Sequence, residues 1–191
     1  ILYREFLIGV TRFFRDKEAF NVLKKKTLPN LFKHNKKNIR IWTTGCSTGE
    51  ETYSVGILLL ELAEQHKYKG EIKIFATDID RKSIEIAGAG YYPDNIAADI
   101  EPLLLKKYFH KQENGYVVNE DLRNLIVFAS HNVLKDPPFS KLDLLVCRNL
   151  FIYLKPEIQS NLISRFYYSL NSNGYLFIGK SETLGDMSTA F

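Results

Sequence analysis

The chain alternates between short apolar runs and longer stretches whose apolar positions recur every three or four residues. Short β-branched, apolar runs predict buried strands, whereas the second pattern predicts amphipathic helices. The predicted strands are residues 39–42, 72–77, 125–129, 142–147 and 175–178. The predicted helices between them are residues 50–66, 81–89 and 156–170. Strands that alternate with helices form a parallel sheet covered on both faces, so the predicted fold class is α/β with a mostly parallel sheet.

Two regions depart from this alternation. Residues 1–32 are predicted to be helical up to a break at Pro29 and Asn30, because these residue types favour turns. Between residues 91 and 124, an Asn-Gly pair precedes a β-branched run and predicts a β-hairpin. We therefore divide the chain into a helical lead-in, residues 1–38, and a main domain, residues 39–191, with an inserted β-subdomain at about residues 91–124.

The composition fits one globular domain, with 45% hydrophobic and 13% aromatic residues among 191. Apolar runs are only a few residues long, which predicts no membrane insertion. Cys46 and Cys147 are expected in buried positions at strand ends, and this cysteine usage predicts a reducing, cytoplasmic location. The four histidines lack metal-ligand spacing, so no metal site is predicted.

Positive charge is concentrated in one part of the chain, although the net charge is only +4. Seven basic residues without an intervening acid occur there, namely Lys24, Lys25, Lys26, Lys33, Lys36, Lys37 and Arg40. This pattern is typical of a solvated surface, and the alternative interpretation is a docking face for an acidic partner. No aromatic residues alternate with the charges as in a nucleic-acid groove, so no nucleic-acid partner is predicted.

A turn with two glycines follows the first predicted strand and precedes a helix. Gly45 and Gly49 lie in this turn, and such turns place backbone N–H groups and a helix N-terminus against a ligand. The turn matches neither the dinucleotide fingerprint nor a Walker A loop, and Glu50 and Glu51 would repel a pyrophosphate. Asp78 ends the second strand, where an acid commonly accepts hydrogen bonds from ribose hydroxyls. These features indicate a nucleoside with a cationic group and no phosphate, which describes S-adenosylmethionine; helix capping remains the alternative role for each acid.

Four segments resemble the CheR-type methyltransferases, which transfer methyl groups from S-adenosylmethionine to glutamates of bacterial chemoreceptors. In chain order, these segments are TRFFRD at residues 11–16, GCSTGEETYS at 45–54, ATDID at 76–80 and CRNLFIY at 147–153. The resemblance implies a Rossmann-like class I methyltransferase fold and O-methylation of receptor glutamates, with S-adenosylhomocysteine as the product. It further implies that the inserted subdomain could bind a receptor C-terminal tail peptide, and that the parent protein could include a methylesterase domain.

The resemblance also implies roles for individual residues. The implied cofactor-binding residues are Thr11, Arg15, Gly45, Glu50, Glu51, Asp78, Asn132, Val133, Arg148 and Asn149. Arg15 and Tyr153 are the implied catalytic residues, nearest the transferred methyl group and the substrate carboxylate. The resemblance leaves open whether Glu50 or Glu51 contacts the cofactor.

Two further functions remain as alternatives to the receptor methyltransferase. A glutamate carboxylate is already ionised at neutral pH, so methyl transfer to it requires no general base and none is evident in the sequence. Gly9, however, stands where the family usually has Asn, and this departure favours a non-catalytic S-adenosylmethionine-binding sensor module. A small-molecule methyltransferase with the same fold is the third possibility, although the inserted subdomain and the basic face favour a protein substrate.

Overall fold

The computed structural model describes residues 11–33 and 36–184. Its helices are α1 (Lys17–Val22), α2 (Leu28–Leu31), α3 (Glu50–Gln65), α4 (Arg81–Ala89), α5 (Pro102–Tyr108), α6 (Glu120–Asn124) and α7 (Pro156–Ser169). Its strands are β1 (Asn38–Thr44), β2 (Glu71–Asp78), β3 (Tyr91–Pro93), β4 (Phe109–Gln112), β5 (Gly115–Val118), β6 (Ile126–Ser130), β7 (Leu142–Cys147) and β8 (Leu170–Ile178). A π-helical turn, Leu23–Thr27, joins α1 to α2, and short 3₁₀-helices span Asp94–Ala98 and Phe151–Tyr153.

The main sheet contains five parallel strands in the order β6-β2-β1-β7-β8. This result confirms the predicted α/β class, and each predicted strand lies within or largely overlaps an observed one. The strand order reverses direction at β1, because β2 and β6 lie on one side of it and β7 and β8 on the other. Such a reversal point is the usual ligand position in open α/β sheets.

Apolar side chains on both faces of the sheet hold the helices against it. Successive residues of a strand point to opposite faces, and along β1 Ile41 joins one buried cluster whereas Trp42 joins the other. Along β7 Leu144 and Leu145 separate in the same way. The first cluster includes side chains of α3 and of the N-terminal helices, and the second includes side chains of α7. The sheet is therefore buried on both faces, as its nearly continuous apolar strands predict.

The inserted subdomain is a three-stranded antiparallel sheet in the order β3-β5-β4. Its β4–β5 hairpin turns at Glu113 and Asn114, and Gly115 begins β5, which confirms the hairpin prediction. Tyr92 of β3 and Phe109 of β4 are both buried in the first cluster. The subdomain therefore packs against the same side of the main sheet as α3.

The N-terminal region differs from its prediction at Pro29. The predicted break at Pro29 and Asn30 is wrong, since both residues lie within α2 and Pro29 occupies its first turn. Proline is compatible with this position because the first N–H groups of a helix have no intrahelical partner. Residues 11–16 form turns rather than a helix, and the predicted helix over residues 1–10 lies outside the described residues. Within the described ranges, no helix is both long and apolar enough to cross a membrane.

Candidate functional site

The carboxyl ends of the central strands meet at one edge of the main sheet. Thr44, the last residue of β1, pairs with Thr77 of β2 and with Cys147 of β7. Two chain segments leave the sheet at this point. We call residues 45–49 the first turn and residues 148–151 the second turn. The strand register therefore brings together two of the sequence segments that were predicted to form a ligand site.

The first turn has a backbone shape that Asp78 stabilises. Gly45, Ser47 and Gly49 adopt positive φ angles of 62°, 48° and 95°. The Asp78 carboxylate accepts hydrogen bonds from Ser47 N at 2.8 Å through Oδ2 and from Asp80 N at 2.9 Å through Oδ1. Asp78 thus has a structural role in the turn, and each carboxylate oxygen retains a second lone pair that a ligand hydroxyl could use.

Glu50 lies at the start of α3 with no cation beside it in the described ranges. Its Oε2 accepts a hydrogen bond from Thr48 Oγ1 at 2.7 Å. Burial raises the pKa of this carboxyl above its ordinary value. Gly49, which precedes it, supplies no side-chain cap, so the first N–H groups of α3 receive no side-chain acceptor from that position. Glu50 and these N–H groups together offer one anionic group and several hydrogen-bond donors.

Glu51, by contrast, is paired with a cation of the protein. Arg148 Nη1 donates to Glu51 Oε2 at 2.7 Å, and the Arg148 side chain is only 2% exposed. Burial raises the pKa of Glu51, and the Arg148 charge opposes that shift. The pair joins the helix that follows the first turn to the first residue of the second turn.

Arg148 also holds the TRFFRD segment. Its guanidinium donates to the Arg15 carbonyl oxygen at 3.1 Å and to Asp16 Oδ2 at 3.4 Å. The Arg15 charge lowers the pKa of Glu51, in the same sense as Arg148. Arg148 was predicted to line the ligand site, but its Nη atoms are engaged with these three residues, and its ring contacts with Phe177 and Phe20 complete its burial.

Two phenylalanines of the same segment contact the rest of the site region. Phe13 is 1% exposed, and its ring packs edge-on against Tyr92 of the subdomain, with centroids 4.9 Å apart. The backbone N–H of Phe14 donates to Ser54 Oγ of α3 at 2.9 Å. Thr11 is half-buried at the start of the segment. The structure therefore packs the segment between α3 and the subdomain, beside the first turn; Gly9 lies outside the described residues.

The second turn contains Asn149 and precedes Tyr153. Asn149 has a positive φ of 59°, which is uncommon for a residue with a side chain. The carboxylate of Glu182 accepts hydrogen bonds from the backbone N–H groups of Asn149 at 3.0 Å and Phe151 at 2.8 Å. Tyr153 lies in the 3₁₀-helix that follows and is 39% exposed. Sequence analysis missed Glu182, because nothing near it in the chain indicates which backbone groups it contacts.

Asn132 and Val133 follow β6, beside Asp78. Asp78 pairs with the last residue of that strand, and the next N–H, of His131, donates to Asp78 O at 2.9 Å. The Asn132 side chain accepts from Leu134 N at 3.0 Å, and the Val133 carbonyl oxygen accepts from Arg165 at 2.9 Å. These contacts fix the loop at the edge of the sheet where the first turn also lies.

The two cysteines do not have the properties of nucleophiles. Both are buried, and burial raises the pKa of each thiol, so that both stay protonated at neutral pH. Over residues 11–33 and 36–184, no group of three or more His, Cys, Asp or Glu side chains could hold a metal ion.

The fold and this site define a Rossmann-like methyltransferase of class I, with S-adenosylmethionine as the cofactor. A family model described as "CheR methyltransferase, SAM binding domain" matches residues 9–191. The chain belongs to this family, which confirms the resemblance drawn from the four sequence segments.

Two curated relatives and one solved structure are similar to the chain, and one of the relatives carries the family's name. The chain is 41% identical to an uncharacterized 104.1 kDa protein in the hypE 3'region of Rhodobacter capsulatus, covering 100% of the chain and 20% of that protein. It is 37% identical to a chemotaxis protein methyltransferase of Borreliella burgdorferi, covering 91% of the chain and 64% of that protein. The structure of PKMT2 from Rickettsia typhi shares the fold at 16% identity and a TM-score of 0.50, covering 88% of the chain and 26% of PKMT2. The chain thus spans less than two thirds of the length of both relatives.

Proposed function

We propose that the protein transfers methyl groups from S-adenosylmethionine to glutamate side chains of methyl-accepting chemotaxis receptors, giving glutamate methyl esters. The observation that carries this proposal is the position of Arg15, whose carbonyl is bound by Arg148 and whose charge acts on Glu51. A guanidinium whose charge reaches Glu51, two residues beyond the first turn, is suited to orient a carboxylate substrate.

The residues of the first turn fit the cofactor. Glu50 is a partly buried carboxylate without a cation beside it in the described part of the chain, and an ammonium group would offset the cost of burying its charge. The free lone pairs of Asp78 suit ribose hydroxyls. We therefore assign cofactor contact to Glu50, and we assign to Glu51 and Arg148 the support of the site.

The remaining cofactor-binding assignments follow from position at the edge of the sheet. Gly45 supplies a backbone without a side chain next to β1, and Asn132 and Val133 lie beside Asp78, where the adenine is expected. Asn149 is assigned to the wall on the side of β7. Thr11 is assigned to the side formed by the TRFFRD segment.

Reaction chemistry at this site requires orientation more than proton transfer. When bound, S-adenosylmethionine supplies a methyl group on a sulfonium, which is an electrophile. A substrate glutamate is ionised at neutral pH and attacks directly, so the protein has only to align it and exclude water. We assign the alignment to Arg15, and we assign Tyr153, exposed at the end of the second turn, to the substrate side of the site.

The substrate partner is proposed to be an acidic segment of a receptor. Lys36 does not contribute to docking, since it binds the buried Asp143 at 2.6 Å. The exposed lysines of the basic stretch that remain available are Lys24, Lys25, Lys26, Lys33 and Lys37. Binding of a receptor tail peptide by the subdomain, fusion to a methylesterase and a cytoplasmic location remain predictions.

The decisive experiment supplies the full-length protein with its receptors and methyl-labelled S-adenosylmethionine. We expect labelled methyl esters on receptor glutamates. Base treatment should hydrolyse these esters and release the label. Arg15→Ala is expected to lower kcat about 100-fold, since misorientation of a reacting group has costs of this size. Arg12→Ala is the matched control, because Arg12 belongs to the same segment and is exposed. An Arg15→Ala enzyme with wild-type kcat would contradict the assignment of Arg15.

The same experiment distinguishes the alternative functions. Tight binding of S-adenosylhomocysteine without label on any receptor supports a non-catalytic sensor module. Label on a small molecule in place of a receptor supports a small-molecule methyltransferase.

A further inference from the structure

We infer that Glu182 is a positioning residue for the site, which holds the second turn in the shape that cofactor binding and methyl transfer require. This inference rests on the proposed function, but its test includes a structural and a binding measurement that do not depend on the substrate. Glu182 lies four residues beyond β8 and was not among the predicted site residues.

A single carboxylate accepts three backbone hydrogen bonds from two separate segments. Glu182 Oε2 accepts from Asn149 N at 3.0 Å and from Gly179 N at 2.6 Å, and Oε1 accepts from Phe151 N at 2.8 Å. Hydrogen bonds to an ionised acceptor are stronger than those between neutral groups. The carboxylate thus joins the segment after β8 to the second turn.

The chain leaves space for this carboxylate at Gly179. A Cβ atom on Gly179 would lie 2.6 Å from Glu182 Oε2 and 3.3 Å from Asn149 N. Any other residue at this position would therefore displace the carboxylate from the N–H groups it accepts. The glycine and the glutamate form one local arrangement, since Glu182 N also donates to the Gly179 carbonyl oxygen at 3.0 Å.

The second turn needs such support because its backbone is strained. Asn149 has a φ of 59°, a conformation that persists only where the surrounding structure enforces it. The strained residue lies between Arg148, which holds the TRFFRD segment, and the 3₁₀-helix that ends at Tyr153. Glu182 binds N–H groups on both sides of Leu150 and so fixes the direction of both neighbours. It acts on the site through this turn and is not itself a catalytic residue.

Glu182→Gln tests the inference with a change of one charge and almost no volume. The glutamine oxygen can accept from one side, but its NH₂ group would face a backbone donor, so at least one N–H loses its acceptor. In the full-length protein without ligand, we expect faster amide hydrogen exchange in residues 147–153 with little change in the rest of the sheet. We also expect about tenfold weaker S-adenosylhomocysteine binding by calorimetry, the effect of about one lost hydrogen bond to a charged group.

Kinetics separate positioning from general stability. With the receptor as substrate and S-adenosylmethionine saturating, kcat is expected to fall, since the positions of both Asn149 and Tyr153 depend on the second turn, whereas a loss of stability alone would leave the kcat of the folded enzyme unchanged. Glu85→Gln is the matched control, because Glu85 is exposed in α4 and distant in sequence from both turns.

Each outcome decides the question. Faster local exchange with unchanged S-adenosylhomocysteine affinity would overturn the positioning role and leave Glu182 a purely structural residue. Unchanged exchange in residues 147–153 would overturn the claim that Glu182 holds the turn. If the wild-type protein binds S-adenosylhomocysteine but methylates no receptor, the proposed function fails, whereas the exchange and affinity measurements still test Glu182.

Discussion

The first and second turns at the ligand edge of the sheet both contain a residue in the left-handed backbone region, and different residues stabilise the two turns. Each turn contains a non-glycine residue with a positive φ, Ser47 in the first and Asn149 in the second. In each, that residue's N–H is bound by a carboxylate from a distant part of the chain: Asp78 is 31 residues from Ser47, and Glu182 is 33 residues from Asn149.

The difference between the turns lies in their glycines. The first turn has Gly45 and Gly49, both with positive φ, so its shape is partly encoded within its own sequence. The second turn contains no glycine, and its shape depends on Glu182. A turn of the first kind can be found by sequence inspection, whereas a turn of the second kind becomes visible only in the folded chain. Substitutions can therefore distinguish a turn shaped by its own glycines from a turn shaped by contacts with distant residues.

The largest effect is expected from Arg148→Ala, which removes the ion pair between the second turn and α3. The variant would leave the Glu51 carboxylate buried without its cation, and breaking a buried pair costs about 3–5 kcal/mol. Denaturant unfolding measures this loss, with Arg81→Ala on the exposed side of α4 as the control. Adding Glu51→Gln should recover part of the loss, since the two residues interact directly. If the stability loss of the double variant equals the sum of the losses of Arg148→Ala and Glu51→Gln, the two residues do not interact and the pairing is contradicted.

Gly49→Ala should destabilise the first turn more than Gly45→Ala does. At Gly49 the φ of 95° is combined with a Cβ position only 2.9 Å from Ala87 Cβ, so we expect a loss of about 2–4 kcal/mol. At Gly45 the nearest atom to a Cβ lies 3.8 Å away, and only the strained φ of 62° remains, for about 1–2 kcal/mol. Thermal or denaturant unfolding compares the two variants. Equal losses would mean that crowding against α4 has no role.

Glu50→Gln should separate stability from cofactor binding. The folded-state pKa of Glu50 is raised, so between its ordinary and raised values the folded protein binds more protons than the unfolded chain, and its stability falls as pH rises. The glutamine variant lacks this loss and should therefore gain stability relative to wild type as pH rises through that window. The affinity of this variant for S-adenosylhomocysteine should fall, because the ammonium group of the ligand no longer has the Glu50 carboxylate as its partner.

Glu157→Gln is the control for Glu50→Gln, since Glu157 lies exposed in the first turn of α7. This control measures the change in stability that comes only from removing a negative charge at a helix N-terminus. If Glu50→Gln binds S-adenosylhomocysteine with unchanged affinity, Glu50 is not the cofactor ligand, and Glu51 becomes the candidate.

The smallest effect is expected from Tyr92→Phe. The Tyr92 hydroxyl donates to the Thr48 carbonyl oxygen of the first turn at 2.6 Å, and this bond joins the subdomain to the turn. Its loss should cost about 1 kcal/mol of stability. Tyr91→Phe is the control, because the neighbouring Tyr91 is 40% exposed. If S-adenosylhomocysteine affinity falls in Tyr92→Phe and not in Tyr91→Phe, the subdomain affects the shape of the first turn.

Most of the fold could be predicted because its signals are local. Apolar runs such as Leu142–Cys147 mark strands buried on both faces, and the Asn-Gly pair before Tyr116 marks the hairpin. Asp80 is of a residue type that commonly caps helices, and it accepts hydrogen bonds from two N–H groups of α4. The error at Pro29 arose because a proline ends a helix in its interior but is tolerated in its first turn.

The site could be predicted only in part, because hydrogen-bond partners depend on tertiary structure. The glycines, Glu50, Glu51 and Asp78 follow predicted strands of a parallel sheet, and the carboxyl ends of such strands lie at one edge, so their grouping was accessible. Sequence reasoning could not show that Arg148 is almost fully buried and bound to Glu51, since this depends on how α3 packs beside β7. Nor could it show that Glu182 reaches the second turn.

The single tryptophan of the chain has a consequence for measurement. Trp42 is fully buried, its Nε1 donates to Thr77 Oγ1 at 2.9 Å, and its ring lies 5.5 Å from His131, the residue before Asn132 and Val133. A buried indole emits at short wavelength, and its intensity depends on the groups around it. Within this chain, excitation at the red edge of tyrosine absorption therefore selects one fluorophore beneath the ligand edge, and we expect its emission to change when the site is occupied.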